Sequence, residues 1–192
     1  MAYEKYTTEA IVLKSFEQGE ADKTLVLFTR DFGLIFAKCA GLRKHNSKMR
    51  HALQNFSYAS ASLIRGKRGW RLAGATAVCT SAGAQLRGLQ SFSNIARLLQ
   101  RLIQGEEKNR YLFDAVREAH MYLLKGNGEL RSTVELICVA RILHALGYLS
   151  AEATSKALFK ESKYSDVHII EAERIRAMLL RSVNEAIAES QL

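Results

Sequence analysis

Proline is absent from all 192 residues. Sharp turns must therefore rest on glycine and short polar side chains, and no helix is ended by a pyrrolidine ring. Cysteine is scarce: Cys39, Cys79 and Cys138 stand far apart, with no Cys-x-x-Cys pair, so a thiolate zinc site is not expected. The odd thiol count and the lack of a signal-like N-terminus fit a reducing cytosol. No apolar run nears the roughly 18 residues of a membrane helix. Also missing are a Gly-rich phosphate loop, a nucleophile elbow, a dinucleotide fingerprint and any His-x-x-x-His spacing. A hydrolase or transferase thus has no support beyond isolated His and Asp residues, and no catalytic residue, metal or cofactor is expected.

The absence with most consequence is of one charge sign. From Phe32 to Gly105 there is no Asp or Glu, yet these 74 residues hold 12 of the 28 Lys and Arg. The net charge of +9 is also uneven: residues 1–80 carry 13 cations against 6 acids, and residues 81–192 carry 15 against 13. A field that cannot be neutralised locally is suited to a polyanion. Nucleic acid leads, because each neutralised phosphate releases a counterion. A membrane surface would call for a basic amphipathic helix, whereas here the cations fall on strands and loops.

Hydrophobic periodicity divides the chain near residue 80. Glu9–Phe16, Lys23–Arg30, Leu34–Ala40, Phe56–Ile64 and Trp70–Val78 read as strands. Asp31-Phe32-Gly33 and Arg65-Gly66-Lys67-Arg68-Gly69 read as hairpin turns. Five short strands predict a small closed barrel or sandwich. From Ser81 the period becomes helical, with Phe92, Ile95, Leu99 and Leu102 on one face and Leu112, Val116, Ala119 and Leu123 on another. Ser132–Gly147 is apolar almost all round, predicting a helix inside a bundle, with a Ser132/Glu135 capping box and Gly147 at its C-terminal end. A last amphipathic helix spans about 167–188 and places Ala172, Ile175, Leu179 and Val183 on one face. The expectation is α+β: an oligonucleotide-binding (OB) barrel over 1–80 and an α-helical bundle over 81–192.

The basic residues form two groups in sequence. Lys38, Arg43, Lys44, Lys48 and Arg50 make one, and Arg65, Lys67, Arg68 and Arg71, with Trp70 at the edge, make the other. On an OB barrel such cations would track a nucleic-acid backbone, while Phe36, Tyr58 or Trp70 would offer a stacking surface. DNA, RNA and an acidic protein partner are the three ligands this charge admits. Glu17, Glu20 and Asp22 read as a solvated turn, not a metal site, and His120 and His144 as structural helix residues. Arg141, inside the apolar helix, is expected to pair with a carboxylate of a neighbouring helix, or with one supplied by a partner.

Several strings resemble the RecO family of bacterial recombination and repair mediators. They are Glu9–Lys14, Gly19-Glu20-Ala21-Asp22, Leu27-Phe28-Thr29 before Gly33, Gly41 with Arg43 and Lys44, Ser47-Lys48-Met49-Arg50, and Leu53-Gln54 before Phe56. Tyr111-Leu112-Phe113 and Ala140–Tyr148 resemble the family's helical part, so the likeness covers about residues 7–150. It implies an OB barrel followed by a helical domain, and a non-enzymatic cytoplasmic, nucleoid-associated protein. Such a protein binds single- and double-stranded DNA, anneals complementary strands and assists recombinase loading. The implied partners are RecR and the C-terminal tail of single-stranded DNA-binding protein, with Arg97, Arg101 and Arg141 as candidates for holding that tail. Many relatives carry a zinc-binding cysteine module after the Leu-Gly-Tyr segment. Here Leu-Ser-Ala-Glu-Ala follows Tyr148, so the resemblance is to a short form without that module.

Overall fold

The computed structural model describes residues 4–126, 128–150 and 156–189. Residues 151–155, where the cysteine module would begin, thus lie outside the described residues. Two compact units are present: Met1–Gly83 with Ile103–Asn109, and Ala84–Leu102 with Arg110–Leu192. The sequence boundary near residue 80 does not anticipate that Ile103–Asn109 belongs with the strands.

The first unit is a closed barrel of β1 (Lys5–Gln18), β2 (Asp22–Thr29), β3 (Gly33–Cys39), β4 (Tyr58–Gly66) and β5 (Gly69–Cys79), in the order β1-β2-β3-β5-β4. All neighbours are antiparallel except β3 and β5, which run parallel. This α+β arrangement, with a five-stranded barrel first, is the one expected. β1 starts earlier than its alternation suggests, because polar Lys5–Thr8 pair with Ile64–Ala61 of β4. A bulge between Val12 and Lys14 lets β1 bend from β4 to β2. The interior is small, with Ala10, Ala37 and Ala61 beside Leu25, Leu27, Ile35 and Leu63. Gly33 holds φ 63° in the β2–β3 turn, and a Cβ there would meet the backbone of Glu107 at 2.3 Å. Glycine is therefore required on two counts.

The second unit contains α1 (Leu86–Leu102), α2 (Arg110–Lys125), α3 (Arg131–Ala145), α4 (Lys156–Lys160), α5 (Asp166–Arg174) and α6 (Arg176–Glu189). α3 is the centre and packs against all five others, as its apolar composition predicted. Its C-terminus is a Schellman cap: Gly147 N–H donates to His144 O at 3.0 Å and Tyr148 N–H to Leu143 O at 2.8 Å, with Gly147 at φ 81°. The predicted Ser132/Glu135 capping box does not form. The helix begins a residue earlier, at Arg131 after Leu130, and the Glu135 carboxylate instead accepts from Asn94 of α1 at 2.9 Å. The expected last helix is divided at Ile175, whose φ of −105° and ψ of 15° leave the helical range. Ala172, Leu179 and Val183 are nonetheless buried along it.

Arg141 corrects the sequence reading most sharply. It is 0% exposed and forms no ion pair with a carboxylate among the described residues. Its guanidinium donates to three carbonyls, Leu158 O at 2.8 Å, Ser162 O at 2.7 Å and Lys163 O at 3.0 Å, and lies 4.6 Å from the Tyr164 ring centre. The five-donor fork satisfies the open carbonyls where α4 ends, which a carboxylate partner would have left bare. Its donors are thus committed within the fold, which takes Arg141 out of the set expected to grip a partner's tail. Replacing Arg141 with Met should orphan these carbonyls and lower stability by about 3 kcal/mol or more, read from denaturant unfolding, with Arg141→Lys recovering only part.

His168 sits on the first turn of α5, with Nδ1 accepting from Ser165 N–H at 3.4 Å and lying 2.8 Å from Ser165 Oγ. Burial, and next the Arg141 charge, hold its pKa below the ordinary 6.5, opposed by Glu161 and by the carbonyls of Ala157 and Lys163. The folded state therefore favours neutral imidazole, and the unfolded chain binds the proton first as pH falls. Stability from this residue is complete above pH 6.5 and is lost as pH drops from there through the lower folded pKa. Denaturant midpoints at pH 7.5 and 5.5 should differ more for the native chain than for His168→Asn.

Candidate nucleic-acid interface

The barrel's strand register assembles an outer face. Inward positions of β3 are Ile35, Ala37 and Cys39, so Phe36 and Lys38 point out. Lys38 pairs with Thr24 of β2 and with Arg71 of β5, and Thr24 pairs with Phe16 of β1. One row across the sheet therefore reads Phe16, Thr24, Lys38, Arg71. The neighbouring row reads Lys14, Val26, Phe36. Opposed residues in a sheet share a face, so both rows lie on the same side.

The row ends at the β4–β5 hairpin. Gly66 pairs with Gly69, leaving Lys67 and Arg68 at the tip, and Gly69 turns the chain at φ 94°. A groove of about 420 Å³ lies between hairpin and sheet, lined by Lys38, Ile64, Gly66, Lys67, Arg68, Gly69 and Arg71. It contains four cations and no carboxylate. Antiparallel alternation puts this hairpin at the Gly33 end of β3 and the other basic group, in the long loop from Gly41, at the opposite end. That loop is a series of turns (Lys44 N–H to Gly41 O at 3.1 Å, Ser47 N–H to Lys44 O at 3.1 Å) whose Leu42, Ala52 and Leu53 plug the barrel. Asp22 accepts from Gly41 N–H at 2.8 Å and so anchors its start. A second hollow, of about 690 Å³, sits there with Lys23, Arg43 and Arg50, and also Glu17, on its wall.

The two predicted groups are thus at opposite barrel ends, joined by Lys38 and Arg71. Lys38, Lys44, Lys48, Arg50, Lys67, Arg68 and Arg71 are exposed and take part in no ion pair among the described residues. Two predicted cations are tethered. Arg43 donates to Gly19 O at 3.1 Å and lies 3.3 Å from the Glu17 carboxylate. Arg65 lies 3.2 Å from Glu106 and over the Trp70 ring at 5.2 Å. The acid-free stretch is consequently not acid-free in space, since Glu106, the first acid after it, folds back onto the hairpin.

Trp70 is not a stacking surface. It is 3% exposed, packed edge-on against Tyr6 and tilted against Phe32, with its indole N–H donating to Glu106 at 2.9 Å. Trp70 pairs with inward-facing Ala37 and so lies inside the barrel, while Arg71, the next residue, faces out. Tyr58 is buried too, its hydroxyl donating to Glu9. Phe36 alone of the three predicted aromatics is exposed, at 59%. Sequence reasoning missed Phe16, 43% exposed with the Lys14 ammonium 4.7 Å from its ring centre; the bulge hides the period-2 signal that would have set its parity.

On α1, Arg97 and Arg101 are exposed one turn apart, and Arg97 donates to Asn94 at 2.5 Å. All three cysteines are buried free thiols, and burial pushes Cys39 up to about 11 and Cys138 up to about 12, away from the thiolate that metal binding needs. No helix among the described residues is long and apolar enough to cross a membrane.

Glu106→Leu should leave the buried Trp70 N–H without an acceptor and destabilise the barrel by about 1–2 kcal/mol. The fluorescence of Trp70, the only tryptophan in the chain, reports the transition, and Glu106→Gln should restore most of the loss.

The family model described as "Recombination protein O N terminal" matches residues 1–78. The chain is 39% identical over 95 residues to a DNA repair protein RecO of Dehalococcoides mccartyi, covering 50% of this chain and 33% of the relative. It is 44% identical over 62 residues to one of Desulfitobacterium hafniense, covering 32% and 23%. To one of Pelotomaculum thermopropionicum it is 30% identical over 151 residues, covering 72% and 55%. The matches therefore span from about a quarter to about half of these relatives' length.

Proposed function

The chain belongs to the RecO family, and on that premise we propose that it serves DNA repair and recombination as a DNA-binding mediator. In this reading it binds single- and double-stranded DNA in the cytoplasm, anneals complementary strands and assists recombinase loading together with RecR. The observation that carries the reading is the Lys38–Arg71 pair across β3 and β5, beside a groove lined by four cations and no carboxylate. Lys67 and Arg68 extend that track along one end, and Lys44, Lys48 and Arg50 along the other. Arg43 and Arg65, already paired, contribute less.

Phosphate contact suffices for the activity. Two complementary strands repel each other, and a cationic surface that neutralises part of both lowers the barrier to their meeting. No bond to a substrate is made or broken, so the function needs no nucleophile and no metal. Arg97 and Arg101 are the remaining candidates for the acidic tail of single-stranded DNA-binding protein, since the Arg141 donors are occupied internally.

If four to six phosphates are neutralised, log affinity for single strands should fall against log salt with a slope of about −3 to −4. The triple change Lys38→Ala, Arg68→Ala, Arg71→Ala should make that slope shallower by about 2 and weaken all sequences alike. Annealing of complementary oligonucleotides, followed in the same samples, should slow in parallel. A slope near zero for the native chain would sink the reading, and an RNA of equal length that outcompetes DNA would redirect it.

A further inference from the structure

Backbone contacts alone give no preference for a single strand over a duplex, because both display phosphates and the duplex displays them more densely. On the basis of the strand-binding reading above, we infer that Phe16 and Phe36 form a platform on which two unpaired nucleobases stack, giving the interface a preference for single strands. The two rings share the outer face of the barrel, on strands separated by β2 and offset by two residues. That places their Cα atoms roughly 12 Å apart. They are 43% and 59% exposed, whereas Phe28 and Phe92, for comparison, are at most 2% exposed.

Their surroundings suit a nucleotide rather than an apolar partner. Lys38 stands two residues along β3 from Phe36 on the same face and in the same row as Phe16, and Arg71 continues that row. Lys14 lies over the Phe16 ring at 4.7 Å, where an incoming base would replace a cation–π contact with a stack and free the ammonium for the adjoining phosphate. A protein surface seated here would have to bury these ammonium and guanidinium groups, which is costly without matching carboxylates. A single strand brings both a flat apolar base and a phosphate to each step. In a duplex each base is covered on both faces by its neighbours, so the same rings find nothing to stack on. The spacing is too long for two adjacent bases in a continuous stack, at about 3.4 Å per step, so the platform takes bases from a strand that is already pulled open.

The test uses the full chain and oligonucleotides of one length, single-stranded and duplex, at one salt concentration. Phe16→Ala with Phe36→Ala should weaken single-strand binding roughly 10-fold per ring lost. Duplex affinity should stay within about twofold and the salt slope should not change. The Lys38→Ala, Arg71→Ala variant should behave oppositely, weakening both forms together and flattening the slope. If that charge variant leaves both affinities intact, the strand-binding reading fails. If it behaves as expected but the aromatic variant weakens both forms equally, or neither, the platform is overturned while the parent reading stands. Circular dichroism establishes that the variants fold. Phe36→Trp gives a second readout: its exposed indole emission should be quenched by oligothymidine and hardly at all by duplex, against the constant background of buried Trp70. Equal quenching by the two, or none by a saturating single strand, overturns the platform.

Discussion

Closure of the barrel between β3 and β5 is the constraint from which the rest follows. Two residue pairs, Ala37 with Trp70 and Lys38 with Arg71, join strands that are separated by more than 30 positions and run parallel. A parallel pair cannot be closed by a tight turn, so the chain must travel through a long connection and a hairpin before β5 can meet β3. That journey is the reason the protein has a basic loop at one barrel end and a basic hairpin at the other. Without the seam, β5 would hang from β4 as a hairpin partner, and Lys38 and Arg71 would not be neighbours.

Much of the architecture was legible from local chemistry. Asp31-Phe32-Gly33 turned where glycine had to take a positive φ, and Gly147 ended α3 as its position beyond the apolar run indicated. Periodicity found the buried faces of α1 and α2 because each contacts the core along one stripe. What was not legible depends on partners distant in sequence. The start of β1 is polar and pairs with β4 only because the barrel closes. Ser132 and Glu135 had the spacing of a capping box, but Asn94 competed for the carboxylate. Trp70 looked like an edge aromatic beside a basic turn, and its inward parity is set by pairing with Ala37 rather than by its neighbours. Arg141 followed a sound rule, that a buried charge needs compensation. The compensation came from three carbonyls at the end of a five-residue helix that no periodic pattern announces.

Charge shows the same limit. An acid-free run of 74 residues is a property of the chain, while the field belongs to the folded surface. Glu17 and Glu106 return to Arg43 and Arg65 across the fold, and each acid also organises backbone or core: Glu106 accepts the buried indole N–H, and Arg43, fixed by Glu17, donates to the Gly19 carbonyl. Both are partly exposed pairs, worth at most about 1 kcal/mol each. Their effect is to fix where the hairpin and the loop stand rather than to quench the surface. Among the described residues, the cations of the outer rows and loop tips, Lys38, Arg71, Lys67 and Arg68 with Lys44, Lys48 and Arg50, take part in no ion pair.

The outer face therefore inherits its geometry from the core. Lys38 lies between inward Ala37 and Cys39, and Arg71 between inward Trp70 and Leu72. Sheet periodicity allows no intermediate: a slip of one residue between β3 and β5 would turn the indole to solvent and bring the guanidinium inside. Burying an unpaired guanidinium while exposing the largest ring of the core is opposed from both sides at once. The Trp70–Glu106 hydrogen bond adds a directional check, because only the inward indole reaches that carboxylate. Packing of one tryptophan thus sets the register that aligns the cationic row, although its own ring stays inside the barrel.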